Sequence, residues 1–190
     1  LSAFSNGVDD IPDDKKPDHA RVGEAVYRTA KELQGYISKL EEIRVPVIAA
    51  VHGGVIGGAL DLITACDMRF ASNDAFFCIQ EINIGMAADV GTLQRLPKII
   101  PDSKMREMAY TGRRMLADEA KDSGLVGEVY ETQDEMLDAV HKLAAEIASK
   151  SPVAIYGLKA VMNYSRDHNV SDSLDLSLIH ISEPTRQSPI

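Results

Sequence analysis

The sequence predicts a single domain of the α/β class. Short apolar stretches typical of strands alternate with segments whose apolar residues recur every three or four positions, as on one face of a helix. No internal repeat or low-complexity tract interrupts the 190 residues, a length that can bury one substantial core. Within residues 45–97, an apolar strand, a glycine-rich turn and a helix follow one another directly.

The first predicted helix begins near Asp18 and ends before Pro46, because proline cannot continue a helix. Its apolar residues follow helical spacing: Val22, Val26, Leu33, Ile37 and Leu40. Residues 47–51 are predicted to form a buried strand, since their side chains are apolar on both faces. A glycine-rich turn then leads into a short helix over residues 59–65.

The remaining elements are predicted from turn and cap signals. Strands are expected over residues 68–71, 75–79 and 126–130. Helices are expected over residues 92–100, 103–111, 117–123 and 136–147. Gly112 and Gly124 follow two of these helices, and glycine readily adopts the left-handed conformation that ends a helix. Ser151 and Pro152 predict the start of another helix, because proline suits the first helical position.

The composition excludes several classes of partner. A net charge of −9 and a pI of about 5.0 argue against nucleic acid, because phosphate backbones bind basic surfaces, although a small phosphorylated ligand stays compatible. No apolar run reaches the length of a membrane span, and no signal peptide is visible. Cys66 and Cys78 have neither CxxC nor metal-ligand spacing, which favours reduced, buried thiols in an intracellular protein. The histidines also lack metal spacing, so no metal is predicted.

Three carboxylates in residues 45–97 are the candidate catalytic groups: Asp61, Glu81 and Asp89. Each stands at a loop or helix start beside apolar residues, where loss of hydration can raise a carboxyl pKa and suit it to proton transfer. The glycine turn can direct backbone N–H groups at a developing negative charge. Taken singly, each acid is better explained as a structural helix-start residue or a solvated loop residue than as a catalytic group. Taken together, the groups are suited to moving a proton along an activated acyl chain.

Several segments resemble the crotonase (enoyl-CoA hydratase/isomerase) superfamily, and most closely its Δ3,5-Δ2,4-dienoyl-CoA isomerases. They are FSNGVD, PVIAAVHGGVIGGALDLITACDMRF and AFFCIQEINIGMAADVGTLQRLP, followed by the helical SKSPVAIYGLKAVMNYSRDH. The resemblance implies a crotonase-type spiral of β-β-α units, incomplete at both ends. It implies an N-terminally truncated, acyl-CoA-binding core over residues 1–150 and the start of a C-terminal helical segment over residues 151–175.

The resemblance also implies an oxyanion hole, in which the backbone N–H groups of Val8 and Gly58 hold the thioester oxygen. A glycine at a helix start supports the second placement, because it permits close approach and the helix N-terminus favours an anion. The implied substrate-binding residues are Asn6, Gly7, Val8, Asp9, Asp10 and Gly58.

For the carboxylates, the resemblance implies that Glu81 removes a proton from C2 of a 3,5-dienoyl-CoA and that Asp89 protonates C6 of the resulting dienolate. Asp61 would orient the site or tune the pKa of its neighbours. Hydratases of this family use two glutamates to handle water. Asp61 stands at the first of those positions, and Asp89 stands where hydratases carry a small neutral residue, which argues for the isomerase.

The implied function is isomerisation of 3,5-dienoyl-CoA to 2,4-dienoyl-CoA in fatty-acid β-oxidation. The alternatives are an enoyl-CoA hydratase and a non-catalytic crotonase-fold binding module. No cofactor is implied beyond the CoA of the substrate. The full-length protein is expected to form a homotrimer or hexamer in mitochondria or peroxisomes.

Three residues outside the main set have their own predictions. Asp67 is expected to be a structural turn acid. Lys159 is expected to be a solvated helix lysine, with contact to a CoA phosphate as the alternative. Met86 is expected to fill the core, with a place along the acyl channel as the alternative.

Both ends of the chain are expected to be unnatural. The chain begins with Leu1 rather than Met, and residues 176–190 begin with LSLIHISEPTR, which resembles the translation of a sequencing-library adaptor. We predict that this segment is a non-native tail. Pro184, Pro189 and the absence of an amphipathic period predict that the helical core stops near Asp175. A chain without its natural ends would expose apolar surface and assemble poorly.

Overall fold

The first four strands of the described chain alternate between two small sheets, and the last two strands then add one strand to each. The computed structural model describes residues 18–182, with side chains up to residue 177. The strands among these residues are β1 Ile48–Val51, β2 Gly54–Ile56, β3 Met68–Ser72, β4 Phe76–Cys78, β5 Met115–Leu116 and β6 Glu128–Tyr130. The first sheet has the order β1-β3-β6, and the second has the order β2-β4-β5.

The strand pairing produces a spiral. In the first sheet, β1 and β6 both run parallel to β3, with Ala49 opposite Arg69 and Phe70 opposite Glu128. In the second sheet, β2 and β4 are parallel, and β4 is antiparallel to β5. Adjacent parallel strands must be joined by a crossover connection. Between β1 and β3, the chain forms β2 of the other sheet and then a helix. The predicted α/β class and the spiral of β-β-α units are confirmed.

Two details of the strand prediction are wrong. Residues 54–56 were expected to lie in a turn, but they form β2 because their backbone pairs with β4, and the Phe76 ring lies against Gly54 where a side chain would stand. The first strand was expected to be buried on both faces. Of β1, only Ala49 is buried and the other three residues are half-buried; among residues 18–182, β1 has a neighbouring strand on one side only.

The helices follow the predicted order with small shifts at their ends. They are α1 His19–Glu42, α2 Gly58–Thr64, α3 Thr92–Arg95, α4 Asp102–Thr111, α5 Ala117–Asp122, α6 Gln133–Ala148, α7 Pro152–Ser165 and α8 Val170–Ser182. The single helix predicted over residues 92–100 is divided. After α3 the chain continues as a 3₁₀ turn, Leu96–Lys98, since Pro97 lacks the N–H of a regular helix.

Helix ends are set by the capping residues that the sequence indicated. The Asp18 carboxylate accepts the N–H of Arg21 at 3.0 Å and begins α1. The Ser151 hydroxyl accepts the N–H of Ala154 at 3.5 Å and begins α7. Gly112 has a φ of 61° and ends α4 in the left-handed conformation.

The hydrophobic core lies between the sheets and the short helices. Its fully buried side chains include Leu60 of α2, Phe77 of β4, Leu96 and Leu125. Four methionines are buried, as expected of residues that fill irregular gaps: Met105, Met108, Met115 and Met136. Cys66 and Cys78 are buried free thiols, as predicted, and burial raises the pKa of both.

Apolar side chains are exposed mainly on the outer helices. No residue of α1 is buried, and its Tyr27 and Tyr36 are 64% and 69% exposed. Val170 and Leu174 of α8 are also exposed. Among residues 18–182, no helix has the length and apolar character needed to cross a membrane.

The position of Lys159 does not fit a solvated lysine or a phosphate ligand, because this lysine is 3% exposed and its ammonium group donates to three oxygens of the protein. Its Nζ donates to the backbone oxygens of Leu40 and Val45 at 2.7 and 3.0 Å and to Asp67 Oδ2 at 2.8 Å. Asp67 also accepts the N–H of Val47 at 2.7 Å, so it is the structural acid that was predicted. Three oxygens satisfy all three donors of the ammonium group, which allows its burial.

The C-terminal helix extends beyond the predicted boundary. Helix α8 passes through Asp175 and continues to Ser182, so the expectation that helical structure stops near Asp175 is wrong. The helix packs against α7, and the buried Ser173 donates its hydroxyl to the Asn169 carbonyl at 2.9 Å. Pro184 and Pro189 lie outside the described residues. The non-native origin of residues 176–190 stays a prediction.

The Lys159 contact predicts a large loss of stability on substitution. Lys159→Met leaves the Asp67 carboxylate and two carbonyls without their cation, so the free energy of unfolding should fall by about 3–5 kcal/mol. Urea denaturation measures this change. Lys142→Met on the exposed side of α6 is the matched control and should cost no more than about 0.5 kcal/mol. Equal unfolding midpoints for the two variants would contradict the structural role.

Candidate functional site

A glycine turn between β2 and α2 forms the first part of the site. Gly57 has a φ of 55° and a ψ of −119°, which side chains rarely tolerate. Its N–H donates to the Cys78 carbonyl at 3.0 Å, and its carbonyl accepts the N–H groups of Leu60 and Asp61 at 2.7 and 3.1 Å. The next N–H, that of Gly58, has no acceptor among residues 18–182. It therefore remains available to an external acceptor at the start of α2.

Glu81 lies directly over this turn. A Cβ built on Gly57 would stand 2.9 Å from Oε1 of Glu81, so the missing side chain at Gly57 makes room for the carboxylate. Glu81 is half-buried and begins a 3₁₀ turn, Glu81–Ile84, after β4. Sequence reasoning named Gly58 but missed Gly57, because a run of glycines does not reveal which member has a positive φ.

The 3₁₀ turn that carries Glu81 is attached to the end of α4. Asn83 Nδ2 donates to the Gly112 carbonyl at 3.2 Å and to Gln80 Oε1 at 3.1 Å. The same Gly112 carbonyl accepts the Cys78 thiol at 3.2 Å. A Cβ on Gly112 would lie only 2.5 Å from the Asn83 amide, so glycine is required for this close approach. These contacts attach the Glu81 turn to the end of α4, a part of the chain separate from the glycine turn.

Burial and charge act on Glu81 in the same direction. Burial is the main cause that raises the pKa of its carboxyl group above the usual value, and the hydrogen bond from its own backbone N–H lowers it. The negative charges of Asp61 and Asp89 raise the Glu81 pKa further. The structure thus brings the three sequence-predicted carboxylates within electrostatic range of one another.

Asp61 is placed differently from a proton carrier. It is 1% exposed and lies on α2, and its Oδ1 accepts the N–H of Thr92 at 2.6 Å. Thr92 is the first residue of α3, so the carboxylate stabilises the positive end of that short helix. An orienting role for Asp61 stays a prediction, and this contact supports it. Nothing in the sequence indicates this contact, because the donor is the backbone N–H of Thr92, 31 residues from Asp61.

Asp89 is the exposed member of the set. Its carboxylate makes no hydrogen bond or ion pair with any residue in the described part of the chain, so it is not pressed against apolar walls as the sequence suggested. It borders a polar cavity of about 770 Å³ that α1, α3 and α7 also line. The Asp89 backbone carbonyl accepts a hydrogen bond from Gln34 of α1 at 2.6 Å, a contact that sequence reasoning missed.

Exposed apolar side chains occur on the two segments that carry Asp61 and Glu81. They are Ile56, Leu62, Ile82, Ile84 and Met86, each 42–48% exposed. Met86 is therefore not a core residue, which leaves its alternative place beside an acyl chain. The predicted donor Val8 and the predicted binding residues Asn6, Gly7, Asp9 and Asp10 lie outside the described residues.

The arrangement is suited to proton transfer next to a polarised carbonyl. A half-buried carboxylate with a raised pKa lies against the glycine turn that carries an unpaired backbone N–H, and a second, solvent-exposed carboxylate lies within electrostatic range. No group of three or more His, Cys, Asp and Glu side chains in residues 18–182 is arranged to hold a metal ion.

Comparisons with known proteins agree with this geometry. The family model for enoyl-CoA hydratase/isomerase matches residues 3–188. The chain is 49% identical over 179 residues to the mitochondrial Delta(3,5)-Delta(2,4)-dienoyl-CoA isomerase of Rattus norvegicus, which covers 90% of this chain and 55% of the relative. It is 47% identical over 158 residues to the peroxisomal enzyme of that name from Arabidopsis thaliana, over 83% of this chain and 57% of the relative.

A solved structure gives the same picture of the fold. A probable enoyl-CoA hydratase/isomerase from Mycobacterium abscessus superposes with a TM-score of 0.80 at 30% identity, over 84% of this chain and 62% of the other. The chain spans about half the length of the curated relatives that it matches.

The effect of the Asp61 charge on Glu81 predicts that removing this charge changes the Glu81 pKa measurably. Asp61→Asn removes a negative charge but keeps an oxygen that can accept the Thr92 N–H. The pKa of Glu81 should therefore fall, while burial keeps it above the usual value. A ¹³C NMR titration of the Glu81 carboxyl carbon, assigned with Glu81→Gln, measures the shift. Asp122→Asn, an exposed change outside the set, is the control. An unchanged or higher Glu81 pKa in Asp61→Asn would refute the coupling.

Proposed function

The chain belongs to the enoyl-CoA hydratase/isomerase family, and on that premise we propose that it converts 3,5-dienoyl-CoA to 2,4-dienoyl-CoA. One observation supports this more than any other. The half-buried Glu81 lies against the Gly57–Gly58 turn, and Asp89 lies within electrostatic range of it on a separate loop. Two carboxylates on separate loops suit a reaction that removes a proton from one carbon and adds a proton to a distant one.

In the first step, Glu81 removes a proton from C2 of the thioester. The C2–H bond breaks, and its electrons pass into a dienolate whose negative charge rests on the thioester oxygen. We assign the free N–H of Gly58 as one donor to that oxygen and the N–H of Val8 as the second donor. The raised pKa of Glu81 makes it a stronger base than an ordinary carboxylate, which assists this transfer.

In the second step, Asp89, which has first taken up a proton from water, delivers that proton to C6 and becomes a carboxylate. The electrons of the dienolate shift so that the double bonds move from C3 and C5 to C2 and C4, and the thioester carbonyl reforms. Asp89 is exposed beside a polar cavity and can regain a proton from water, while Glu81 returns its proton to solvent. Asp61 stays out of proton transfer because it is buried and bonded to Thr92.

The setting of the reaction is proposed from the relatives. Relatives are named as mitochondrial and as peroxisomal enzymes, so we place this activity in one of those organelles. The acyl-CoA substrate supplies its own CoA, and no further cofactor is proposed. Assembly of the full-length protein into a homotrimer or hexamer is a proposal as well. Exposed Ile82, Ile84 and Met86 next to Glu81 are proposed to contact the acyl chain.

Variants of Glu81 and Asp89, assayed in deuterated water, test whether the two carboxylates carry out separate proton transfers. Glu81→Gln should slow exchange of the C2 proton by about 10²–10⁴-fold, because the base is lost. Asp89→Asn should keep that exchange and block formation of the conjugated product, which is followed by its absorbance. Similar loss of exchange in both variants would contradict separate roles.

The same preparation distinguishes the alternative functions. Hydration of a 2-enoyl-CoA without isomerisation of 3,5-dienoyl-CoA would indicate a hydratase. Absence of both reactions, with the thioester still bound, would indicate a binding module. Either result overturns the proposed isomerase.

A pair of glycine variants separates the anion site from the fold. A Cβ on Gly58 meets nothing within 4 Å, so Gly58→Val should fold normally and yet lose at least about 100-fold in turnover, because the side chain displaces the acyl group. Gly57→Ala should instead lower the free energy of unfolding, by about 1–2 kcal/mol from the positive φ alone. Thermal melting and turnover are measured for both. Near-normal turnover of Gly58→Val would exclude this N–H from the site.

A further inference from the structure

The loop that carries Asp89 is attached to helix α1 through its main chain. Gln34 is half-buried on α1, and its Nε2 donates to the Asp89 carbonyl at 2.6 Å across 55 residues of sequence. Lys31 Nζ donates to Gln34 Oε1 at 3.2 Å. Because the amide oxygen is occupied by that cation, the amide nitrogen is the end that faces Asp89.

A second contact holds the following residue. Arg95 Nη1 approaches the Val90 carbonyl at 3.5 Å, and its other nitrogens donate to Glu41 Oε2 at 2.9 and 3.0 Å and to Ser38 Oγ at 2.9 Å. The Arg95 side chain is 15% exposed, so α1 holds this guanidinium firmly. The loop passes directly against it, since a Cβ on Gly91 would lie 1.8 Å from Nη1.

The Asp89 carboxylate depends on these main-chain contacts for its position. It has no hydrogen-bond partner of its own in residues 18–182, whereas the loop is held at the Asp89 carbonyl, the Val90 carbonyl and the Thr92 N–H. These contacts hold the peptides that follow the Asp89 Cα, and the preceding residue, Ala88, is buried, so the direction of the Asp89 Cα–Cβ bond is restrained. A reacting group that is displaced by about 1 Å can lose about 10²-fold in rate.

We propose that Gln34 is a positioning residue for protonation at C6. It acts through the Asp89 carbonyl and holds the Asp89 carboxylate at the distance from Glu81 that proton removal at C2 and protonation at C6 require. This inference rests on the proposed isomerase function and deepens it. Helix α1 thereby controls the second proton transfer and leaves the first, at Glu81 and Gly58, untouched.

The test measures the two proton transfers separately in Gln34→Met. Methionine matches glutamine in length and helix propensity but cannot donate to Asp89. The wild-type protein and the variant are given a 3,5-dienoyl-CoA in deuterated water, and C2 exchange is compared with formation of the conjugated product. Exchange should stay within about twofold of wild type, and product formation should fall by about 10- to 100-fold. Gln94→Met is the matched control, because Gln94 lines the same cavity and its side chain makes no hydrogen bond in the described chain.

A double variant shows whether Gln34 acts through Asp89. In the Asp89→Asn background, adding Gln34→Met should change the residual product formation by less than about twofold, since the group to be positioned is already lost. Parallel loss of exchange and product formation in Gln34→Met, or product formation equal to wild type, would overturn this inference alone. A wild-type protein that neither exchanges nor isomerises the substrate would overturn the proposed function and this inference with it.

Discussion

The buried carboxylate of Asp61 is the contact on which the geometry of the site depends. It is almost fully shielded from water and accepts the Thr92 N–H at 2.6 Å, which joins the helix after the glycine turn to the helix after the Asp89 loop. Burying a carboxylate is costly unless charge-assisted hydrogen bonds compensate. The same negative charge raises the Glu81 pKa. Asp61 therefore connects two loops and also raises the basicity of the Glu81 carboxylate.

The rest of the fold supplies supports that reach the site from different directions. Asn83 and Gly112 connect the Glu81 turn to α4, whereas Gln34 connects the Asp89 loop to α1. Lys159 in turn fixes the end of α1, since it binds backbone oxygens at Leu40 and beyond and pairs with Asp67 at the start of β3. The two proton carriers are therefore held by separate parts of the scaffold. Independent supports allow one loop to be adjusted without moving the other.

The local signals in the sequence predicted most elements and named the three carboxylates, but they could not supply the long-range contacts. Caps such as Asp18 and Gly112 act within four residues, so sequence spacing reveals them. Lys159 was misjudged because its burial depends on oxygens more than 90 residues away, which leave no periodic pattern beside it. Gln34 was missed for the same reason. Its partner is a backbone carbonyl, and every residue carries one.

In the proposed mechanism, the clustering of three acids suits the order of the two proton transfers. Burial and the negative charge of Asp61 raise the Glu81 pKa, while Asp89 enters the proposed cycle protonated. Protonation of Glu81 by the C2 hydrogen neutralises the Glu81 charge. Asp89 then releases its own proton to C6 beside a neutral Glu81 rather than an anionic one. The first transfer thereby lowers the electrostatic cost of the second, and the total charge of the carboxylates is restored when both are complete. This coupling requires that Glu81 and Asp89 stay close without sharing a hydrogen bond, which attachment to separate helices provides.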